Sequence, residues 1–177
     1  MDSLHDMSRV EHPVKETVVY GGDCPHPGAR ATLDAWHALV HEAVAGGTPS
    51  TDALAPHVSK SVCFKAPTYI NPWVGKLPIL VILSTVAEVF GKSFKYRREW
   101  LSPDCRDWAL EFTAEVEGKL VSGVDLVQCD DDGKICHFEV VMRPLNAVED
   151  LFRLMNERVP SKMQAAIMAA QSKSTKK

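Results

Sequence analysis

An acidic side chain inside an apolar strand pattern is the strongest sign of chemistry in this sequence. Asp125 lies in the segment 120–129, where alternation places it on one face with apolar or small neighbours. The residues sharing that face are Val121, Gly123, Val127 and Cys129. Burial among them would favour the neutral acid, which can donate a hydrogen bond to a developing oxyanion or deliver a proton. The alternative is a structural aspartate bonded to a backbone amide or to Arg143.

Histidine supplies the second candidate for proton transfer. His37 lies near the apolar stripe of the first predicted helix, where it could face a pocket and serve Asp125 as base or proton shuttle. The alternative is a partly buried helix histidine held by a hydrogen bond. His37 and His41 have the i, i+4 spacing of a metal pair, but no acidic ligand motif accompanies them, so we expect no metal site. His137 is predicted to point to the outer face of the sheet.

Aromatic and apolar residues could form a pocket around Asp125. Tyr69, Asn71 and Trp73 lie in a loop before an apolar helix, a position from which aromatic rings often cover a cavity. Simple loop packing is the alternative for these three. The predicted ligand-binding residues are Trp36, Val40, Tyr69, Trp73, Tyr96, Leu110, Phe112, Phe138, Val140 and Met142. The strand residues in this set could instead close a core against the apolar helix.

The elements that must position these residues follow from hydrophobic periodicity and turn residues. The predicted elements are a helix over 31–45, a short helix near 51–57, a strand over 61–66, a helix over 77–90, strands over 94–100, 108–116, 120–129 and 135–142, and helices over 145–157 and 163–170, the last two separated at Pro160. Parallel pairing of the last four strands would need helices between them, and the connections are too short. We therefore predict an α+β fold with helices packed on one face of a curved antiparallel sheet.

Composition sets limits on organisation and partners. We predict an irregular arm over 1–28, one domain over 29–158, and a short helix with a polar tail over 159–177, with 14–20 able to add a short strand. A chain of 177 residues, 45% hydrophobic and 24% charged, can bury the core of one domain. A net charge of −3, from 20 Lys and Arg against 23 Asp and Glu, attracts neither nucleic acid nor an acidic membrane.

The cysteines and the apolar segments bear on the cellular compartment. The five cysteines are Cys24, Cys63, Cys105, Cys129 and Cys136. Their number is odd and they contain no Cys-x-x-Cys pair, so we expect reduced thiols that fill space in the core. A disulfide between Cys129 and Cys136 across a hairpin is the alternative. Because the sequence shows neither a membrane-length apolar run nor a signal-peptide pattern, we expect a cytoplasmic protein.

Several segments together carry a family resemblance. These are Phe94-Lys95-Tyr96, Trp108-Ala109-Leu110-Glu111-Phe112, Gly123-Val124-Asp125-Leu126-Val127, Asp132-Gly133-Lys134-Ile135 and Phe138 to Leu145. On these segments, residues 30–158 resemble the nuclear transport factor 2-like superfamily, in its SnoaL-like and ketosteroid-isomerase-like branch. The resemblance implies a cone-shaped sheet around an apolar pocket and a sheet-to-sheet homodimer. It is specific for architecture but not for chemistry, because this scaffold hosts isomerases, cyclases, dehydratases, epoxide hydrolases and non-enzymes.

The resemblance supports a role for Asp125 and argues against steroid isomerisation. In ketosteroid isomerases the oxyanion-hole aspartate lies eight residues before the glycine of a hairpin Gly-Lys, and Asp125 lies eight residues before Gly133. Their proton-abstracting carboxylate directly precedes a proline at the end of the first strand, where this chain has Ala66. Their first helix supplies a tyrosine where this chain has Leu39 and Val40. We therefore do not predict steroid isomerisation.

Two functions remain in view. The first is an enzyme of isomerase, cyclase or lyase type acting on a hydrophobic small molecule, with Asp125 as general acid or oxyanion stabiliser and with His37 or a water completing the proton relay. It implies no cofactor. The second is a non-catalytic ligand-binding or dimerisation module, motivated by the missing carboxylate at Ala66. An open cavity of a few hundred Å³ would favour a ligand, whereas filling by core side chains would favour the module.

A homodimer is expected on independent grounds as well. The outer face of the predicted sheet carries apolar side chains that would be exposed in a monomer. These are Val124, Leu126, Ile135 and Val141. A self-complementary contact through this face would cover them.

Overall fold

A computed structural model describes residues 18–21, 23–47 and 50–174. The strands are β1 (Val18–Tyr20), β2 (Val58–Lys65), β3 (Trp73–Val74), β4 (Lys95–Leu101), β5 (Asp107–Val116), β6 (Lys119–Cys129) and β7 (Ile135–Arg143). The helices are α1 (Pro27–Val44), α2 (Lys76–Phe90) and α3 (Leu145–Ser174), with 3-10 turns at Ala55–His57 and Gly91–Ser93. The α+β class and the four successive strands β4 to β7 are confirmed.

The strands form one mixed, curved and unclosed sheet in the order β1-β4-β5-β6-β7-β2-β3. Strands β4 to β7 are joined as antiparallel neighbours, whereas β2 runs parallel to β7 and β1 runs parallel to β4. The three helices cover the inner face of this sheet. Their apolar stripes meet alternate strand residues in two buried clusters, one around Trp36 and Phe138 and one around Phe90 and Phe112.

Helix α1 begins four residues earlier than its periodicity predicts. The last two residues of the predicted irregular arm, Pro27 and Gly28, are already helical. The His26 ring caps the helix by accepting a hydrogen bond from the backbone N–H of Ala29 at 3.1 Å. Proline suits a first helical turn, because its missing N–H would have no partner there. Thr32 then ties the helix to the β6–β7 turn by donating to the carbonyl of Gly133 at 2.6 Å.

The two predicted C-terminal helices are in fact one. Pro160 lies inside α3, which runs without a break from Leu145 to Ser174. A proline removes one backbone donor and usually ends or bends a helix. Here tertiary packing compensates, since α3 packs along α2 and Lys162 donates to the Glu88 carboxylate of α2 at 2.6 Å. The prediction of a separate short helix after residue 159 was therefore wrong.

A disulfide joins Cys24 to Cys105, so the expectation of five reduced thiols was wrong. Cys24 precedes α1 and Cys105 lies in the turn between β4 and β5, with 4.8 Å between their Cα atoms. Cys63, Cys129 and Cys136 are free. Cys129 pairs across the hairpin with Ile135 because the register shifts there, so it does not face Cys136. The sequence could not indicate the pair, because its two members are 81 residues apart.

The N-terminal arm and the outer sheet face agree only in part with the sequence predictions. Val18–Tyr20 forms a strand as expected, whereas residues 14–17 of the same predicted strand lie outside the described residues. On the outer face Leu126 and Val141 are exposed. Ile135 was assigned to this face wrongly, because the register shift at the β6–β7 turn directs it into the core. The homodimer itself stays a prediction.

No helix among the described residues is long and apolar enough to cross a membrane.

Candidate active site

Asp125 lies in the middle of β6 and faces the helices. Strand alternation buries it together with Val121, Gly123 and Val127, in the pattern that the sequence predicts. Its residue is 5% exposed. In the sheet it lies between Leu110 of β5 and Val140 of β7, so its nearest cross-strand neighbours are apolar. An aspartate in this position needs a specific partner or a proton.

A chain of two hydrogen bonds supplies that partner. The Tyr96 hydroxyl of β4 donates to Oδ2 of Asp125 at 2.9 Å, and the Trp36 indole N–H of α1 donates to the Tyr96 oxygen at 2.7 Å. Because the indole is only a donor, it orients the Tyr96 proton towards the carboxyl. Neither a backbone amide nor Arg143, the two partners expected from the sequence, makes this bond. One carboxyl oxygen of Asp125 is thus engaged by Tyr96, which leaves Oδ1 for a ligand.

A bulge in β4 brings Tyr96 into reach. Tyr96 pairs with Phe112, whereas Arg98 pairs with Glu111, so Arg97 is an extra residue in the ladder. In a regular strand Tyr96 and Glu99 would face opposite sides, because side chains alternate. With the bulge both face the helices. The bulge is therefore the local device that places a phenol beside Asp125.

Burial decides the protonation of this site. Burial raises the pKa of Asp125 to about 7, and the hydrogen bond from Tyr96 offsets part of that increase. The pKa of Tyr96 is also raised, first by its own burial and then by the neighbouring Asp125 carboxyl. Tyr96 therefore keeps its proton, while Asp125 changes charge near neutral pH. A group with these properties can either donate or accept a proton under physiological conditions.

The site opens into a cavity of about 210 Å³. Its walls come from α1, α2, α3, the inner sheet face and the loop after β2. Among the described residues that line it, Asp125 is the only Asp, Glu, His, Lys, Arg or Cys. Mainly apolar walls with a few polar groups, here including one carboxyl, are typical of small-molecule sites. The cavity is not filled by Phe112, Phe138 and Met142, which line it instead.

The rim of the cavity lies between the loop after β2 and α3. The Tyr69 hydroxyl donates to Oδ1 of Asn156 at 2.6 Å, and both residues line the cavity. The Tyr69 ring lies 5.3 Å from the ring of Phe152 and 6.4 Å from that of Trp73, centroid to centroid. These contacts attach the loop to α3 at the entrance.

The structure brings most of the predicted ligand-binding residues together. Those that line the cavity are Trp36, Val40, Tyr69, Trp73, Phe112, Phe138, Val140 and Met142. Leu110 is fully buried between strands outside the lining, and Tyr96 contacts Asp125 without being part of the lining. His37 is also outside the lining. Its Nε2 lies 3.3 Å from Oε1 of the buried Glu99, and its ring meets the edge of Tyr96. The proton-relay role of His37 stays a prediction.

Sequence reasoning missed the contributions of α2 and α3 to the cavity wall. Leu151, Met155 and Val159 recur every fourth residue along α3, and all three line the cavity. That spacing is visible in the sequence and indicates one buried helix face. It does not indicate a cavity, because the same stripe would serve a closed core. Asn156 was missed because an exposed helix asparagine has no distinctive pattern.

His37 and His41 lie one turn apart on α1. Within the described ranges, no group of three or more His, Cys, Asp or Glu side chains is arranged to hold a metal ion. His37 and His41 therefore do not gain the further ligand that a site on α1 would need.

Comparisons with known proteins place this geometry in a family. A steroid delta-isomerase from Pseudomonas aeruginosa shares 33% identity, over 78% of this chain and 96% of its own, with a TM-score of 0.69. A bacterial protein from Silicibacter pomeroyi, described as uncharacterized and with a cystatin-like fold, shares 33% identity over 77% and 87% of the two chains, with a TM-score of 0.64.

The chain belongs to the nuclear transport factor 2-like superfamily, in its ketosteroid-isomerase-like branch. An NTF2-like protein of unknown function from Mesorhizobium loti, 12% identical over 72% and 99% of the two chains, shares the fold with a TM-score of 0.54. No protein-family model and no curated protein matches the chain. The Pseudomonas isomerase is matched over nearly its whole length, so it is similar to this chain throughout the matched region.

Proposed function

We propose that this superfamily member is an enzyme of isomerase, cyclase or lyase type that acts on a hydrophobic small molecule. The observation that carries the proposal is a buried carboxyl with a pKa of about 7 at the apolar inner end of the cavity. In its neutral form, Asp125 donates a hydrogen bond or a proton from Oδ1 to an oxygen of the substrate. Because the cavity is apolar, this interaction strengthens as charge develops on that oxygen.

The lining favours acid-assisted chemistry at oxygen over proton abstraction from carbon. Ala66 follows β2 where ketosteroid isomerases carry their base, and this residue lines the cavity with a methyl group. Because Asp125 is the one carboxyl among the described lining residues, any second proton acceptor is the substrate, a water or His37, which lies beside Tyr96 outside the lining. Ring opening, cyclisation and dehydration meet this condition, since a single acid protonates the departing or rearranging oxygen. The named activity of the Pseudomonas relative supports the isomerase type but not its substrate.

The alternative is a ligand-binding module without catalysis. It is favoured because the described lining residues include no second carboxyl, His or Lys that could act as a base, and the open cavity is as suitable for a stored or sensed ligand as for a substrate. Both functions need a hydrophobic small molecule. They differ in whether Asp125 changes a reaction rate or only an affinity.

The first test is the titration of Asp125. Carboxyl-carbon NMR of the wild type, with Asp125→Asn to assign the signal, should give a pKa near 7. The outward-facing Glu111 of the neighbouring strand offers a matched control, because Glu111→Gln removes a carboxyl without changing the cavity. A pKa at or below the ordinary value of about 4 would contradict the proposal, because Asp125 would then be ionised under all working conditions.

The second test separates the enzyme from the module. Once a screen of apolar ketones, epoxides and alcohols gives turnover, Asp125→Leu should lower kcat by about 100-fold or more, as loss of a general acid or oxyanion donor does. Glu111→Gln should retain the wild-type kcat. Turnover by Asp125→Leu within a few-fold of the wild type would contradict the mechanism. Tight binding with no turnover in the same screen would favour the module.

A further inference from the structure

Polar groups lie at two places in the cavity, and only one of them is used by the proposed chemistry. Asp125 forms the buried end. Thr68, Tyr69 and Asn156 line the entrance, where Tyr69 is 41% exposed and Asn156 is exposed. Between these polar groups the walls are formed mainly by aliphatic and aromatic side chains. A ligand that spans the cavity therefore meets polar protein groups at its buried end and at its outer end.

The hydrogen bond at the entrance leaves specific groups available. Tyr69 donates its proton to Oδ1 of Asn156, which fixes the carbonyl side of the amide towards the loop. The Nδ2 group of Asn156 can donate two hydrogen bonds and has no protein partner among the described residues. The amide therefore presents donors at the rim, and its acceptor is already engaged.

The entrance is also well positioned. Tyr69 is held between the rings of Phe152 and Trp73, and α3 continues past this point through Val159 and Pro160, which line the cavity as well. A side chain on a helix, oriented by an anchored phenol, defines a direction for a hydrogen bond. Positioning of this kind is what distinguishes a specificity group from a solvated surface amide.

We infer that Asn156 is a specificity-determining residue that binds an acceptor oxygen at the outer end of the ligand. The ligand class is a largely rigid, apolar molecule with an acceptor oxygen at each end. One oxygen accepts from Asp125, a part of the inference that rests on the proposed function, and the other accepts from Nδ2 of Asn156. A molecule with an apolar outer end would leave these donors to water and would bind less selectively.

Matched aromatic ketones test this inference. The probes are 6-methoxy-2-acetonaphthone, which has an oxygen at each end, and 6-ethyl-2-acetonaphthone, which has nearly the same size and shape but a methylene in place of the outer oxygen. Isothermal titration should show that the wild type prefers the methoxy compound by about 5-fold, the effect of one hydrogen bond of roughly 1 kcal/mol. Asn156→Leu should remove this preference while retaining the affinity for the ethyl compound within about 2-fold. Glu157→Gln, on the adjacent exposed position, is the control and should keep the preference.

The outcomes distinguish this inference from the proposed function. Equal binding of the two ketones by the wild type would overturn the role of Asn156, as would a preference that survives in Asn156→Leu. Asp125→Leu, which removes every donor at this position, should weaken both ketones equally and leave the methoxy preference intact. If Asp125→Leu binds both as tightly as the wild type, the function proposed for Asp125 fails while the role of Asn156 stands. Failure of the wild type to bind either ketone would overturn both.

Discussion

At Asp125 the cost of burying a charge and the benefit of a hydrogen bond act in opposite directions. Burial raises the pKa of this carboxyl to about 7, from an ordinary value of 3.8, despite the donor on Tyr96. The folded protein thus binds a proton more tightly than the unfolded chain between about pH 4 and pH 7. Stability contributed by the neutral form is fully present below pH 4 and is lost as the pH rises towards 7. Above pH 7 both states are ionised, and the contribution stays constant.

The first prediction follows from this linkage. Between pH 4 and pH 7.5, the free energy of unfolding of the wild type should fall, relative to Asp125→Asn, by on the order of 4 kcal/mol. The asparagine variant has the same shape but no titrating carboxyl, so all other groups cancel in the difference. Urea unfolding of both proteins at several pH values measures it. A difference that does not change with pH would mean that Asp125 is ionised in the folded state throughout.

A second prediction concerns Tyr96. The hydrogen bond from Tyr96 lowers the pKa of Asp125, so Tyr96→Phe should raise that pKa further, which carboxyl NMR would detect. The variant also leaves the Trp36 indole N–H buried without its acceptor, which should cost about 1–3 kcal/mol of stability. Trp36→Phe is the matched control, because it removes the outer bond of the chain and keeps the inner one. An unchanged Asp125 pKa in Tyr96→Phe would show that the bond does not form in solution.

Asp125 and its partner differ in how far the sequence could predict them. Strand alternation alone places Asp125 on a buried face, because its neighbours two residues away on either side are glycine and valine. The role of Tyr96 was not predictable in the same way. Its partner lies 29 residues away, and the bulge at Arg97 that directs it inward leaves no distinctive residue in the sequence. Local pattern therefore indicated the acid, and only the fold supplied the group that tunes it.

At the scale of the element, β6 is shaped by the absence of a side chain at Gly123. This glycine lies opposite Phe112, and a Cβ built on it would come within 2.5 Å of the Phe112 ring and 2.7 Å of the Val141 carbonyl oxygen. The aromatic ring thus occupies the space above the strand, where it lines the cavity. The missing Cβ at Gly123 thus makes room for the Phe112 ring at this wall of the cavity.

The third prediction tests this arrangement. Gly123→Ala should destabilise the protein by about 1–3 kcal/mol, because the backbone carbonyl cannot move freely and the Phe112 ring must turn into the cavity. It should also weaken binding of the naphthyl ketones, since the ring would occupy their volume. Ser122→Ala, one residue away on the other face, is the control. Normal ketone affinity in a destabilised Gly123→Ala would show that the ring moves away from the cavity.

Elements were predicted best where periodicity is strong and worst where packing overrides a local signal. The strands β5, β6 and β7 begin and end within a residue or two of the predicted bounds, because turn residues and alternation agree there. The sequence analysis ended a helix before Pro160, whereas α3 continues through this proline. Packing against α2 and the ion pair between Lys162 and Glu88 stabilise the helix there. Such support comes from residues distant in sequence.

At the scale of the whole molecule, the disulfide fixes how the N-terminal segment meets the sheet. Cys24 and Cys105 are both buried, and their bond attaches the segment before α1 to the β4–β5 turn. The same segment supplies β1, which pairs with β4 and covers that edge of the sheet. Because β4 carries Tyr96, the disulfide supports the strand that tunes Asp125. A cytoplasmic location, expected from the sequence, stays a prediction. It requires that the disulfide persist in a reducing compartment.

The fourth prediction concerns this bond. In protein purified without reductant, alkylation under denaturing conditions should modify the three cysteines Cys63, Cys129 and Cys136, and all five only after reduction. Reduction should lower the free energy of unfolding by about 2–5 kcal/mol, because the unfolded chain loses a long closed loop. A Cys24→Ser, Cys105→Ser double variant should match the reduced wild type and ignore reductant. Modification of all five without reduction would mean that the bond is absent in solution.

The same measurement in a glutathione buffer bears on the compartment. Cys105 is fully buried and Cys24 nearly so, which shields both sulfurs from an attacking thiolate. We therefore expect the bond to persist at a cytosolic redox poise of about −240 mV, as stable structural disulfides do. Persistence would make a cytoplasmic location compatible with a docked N-terminal segment. Reduction at that poise would mean that only an oxidising compartment keeps the N-terminal segment covalently attached to the β4–β5 turn. The pKa of Asp125 should then be measured on the oxidised protein.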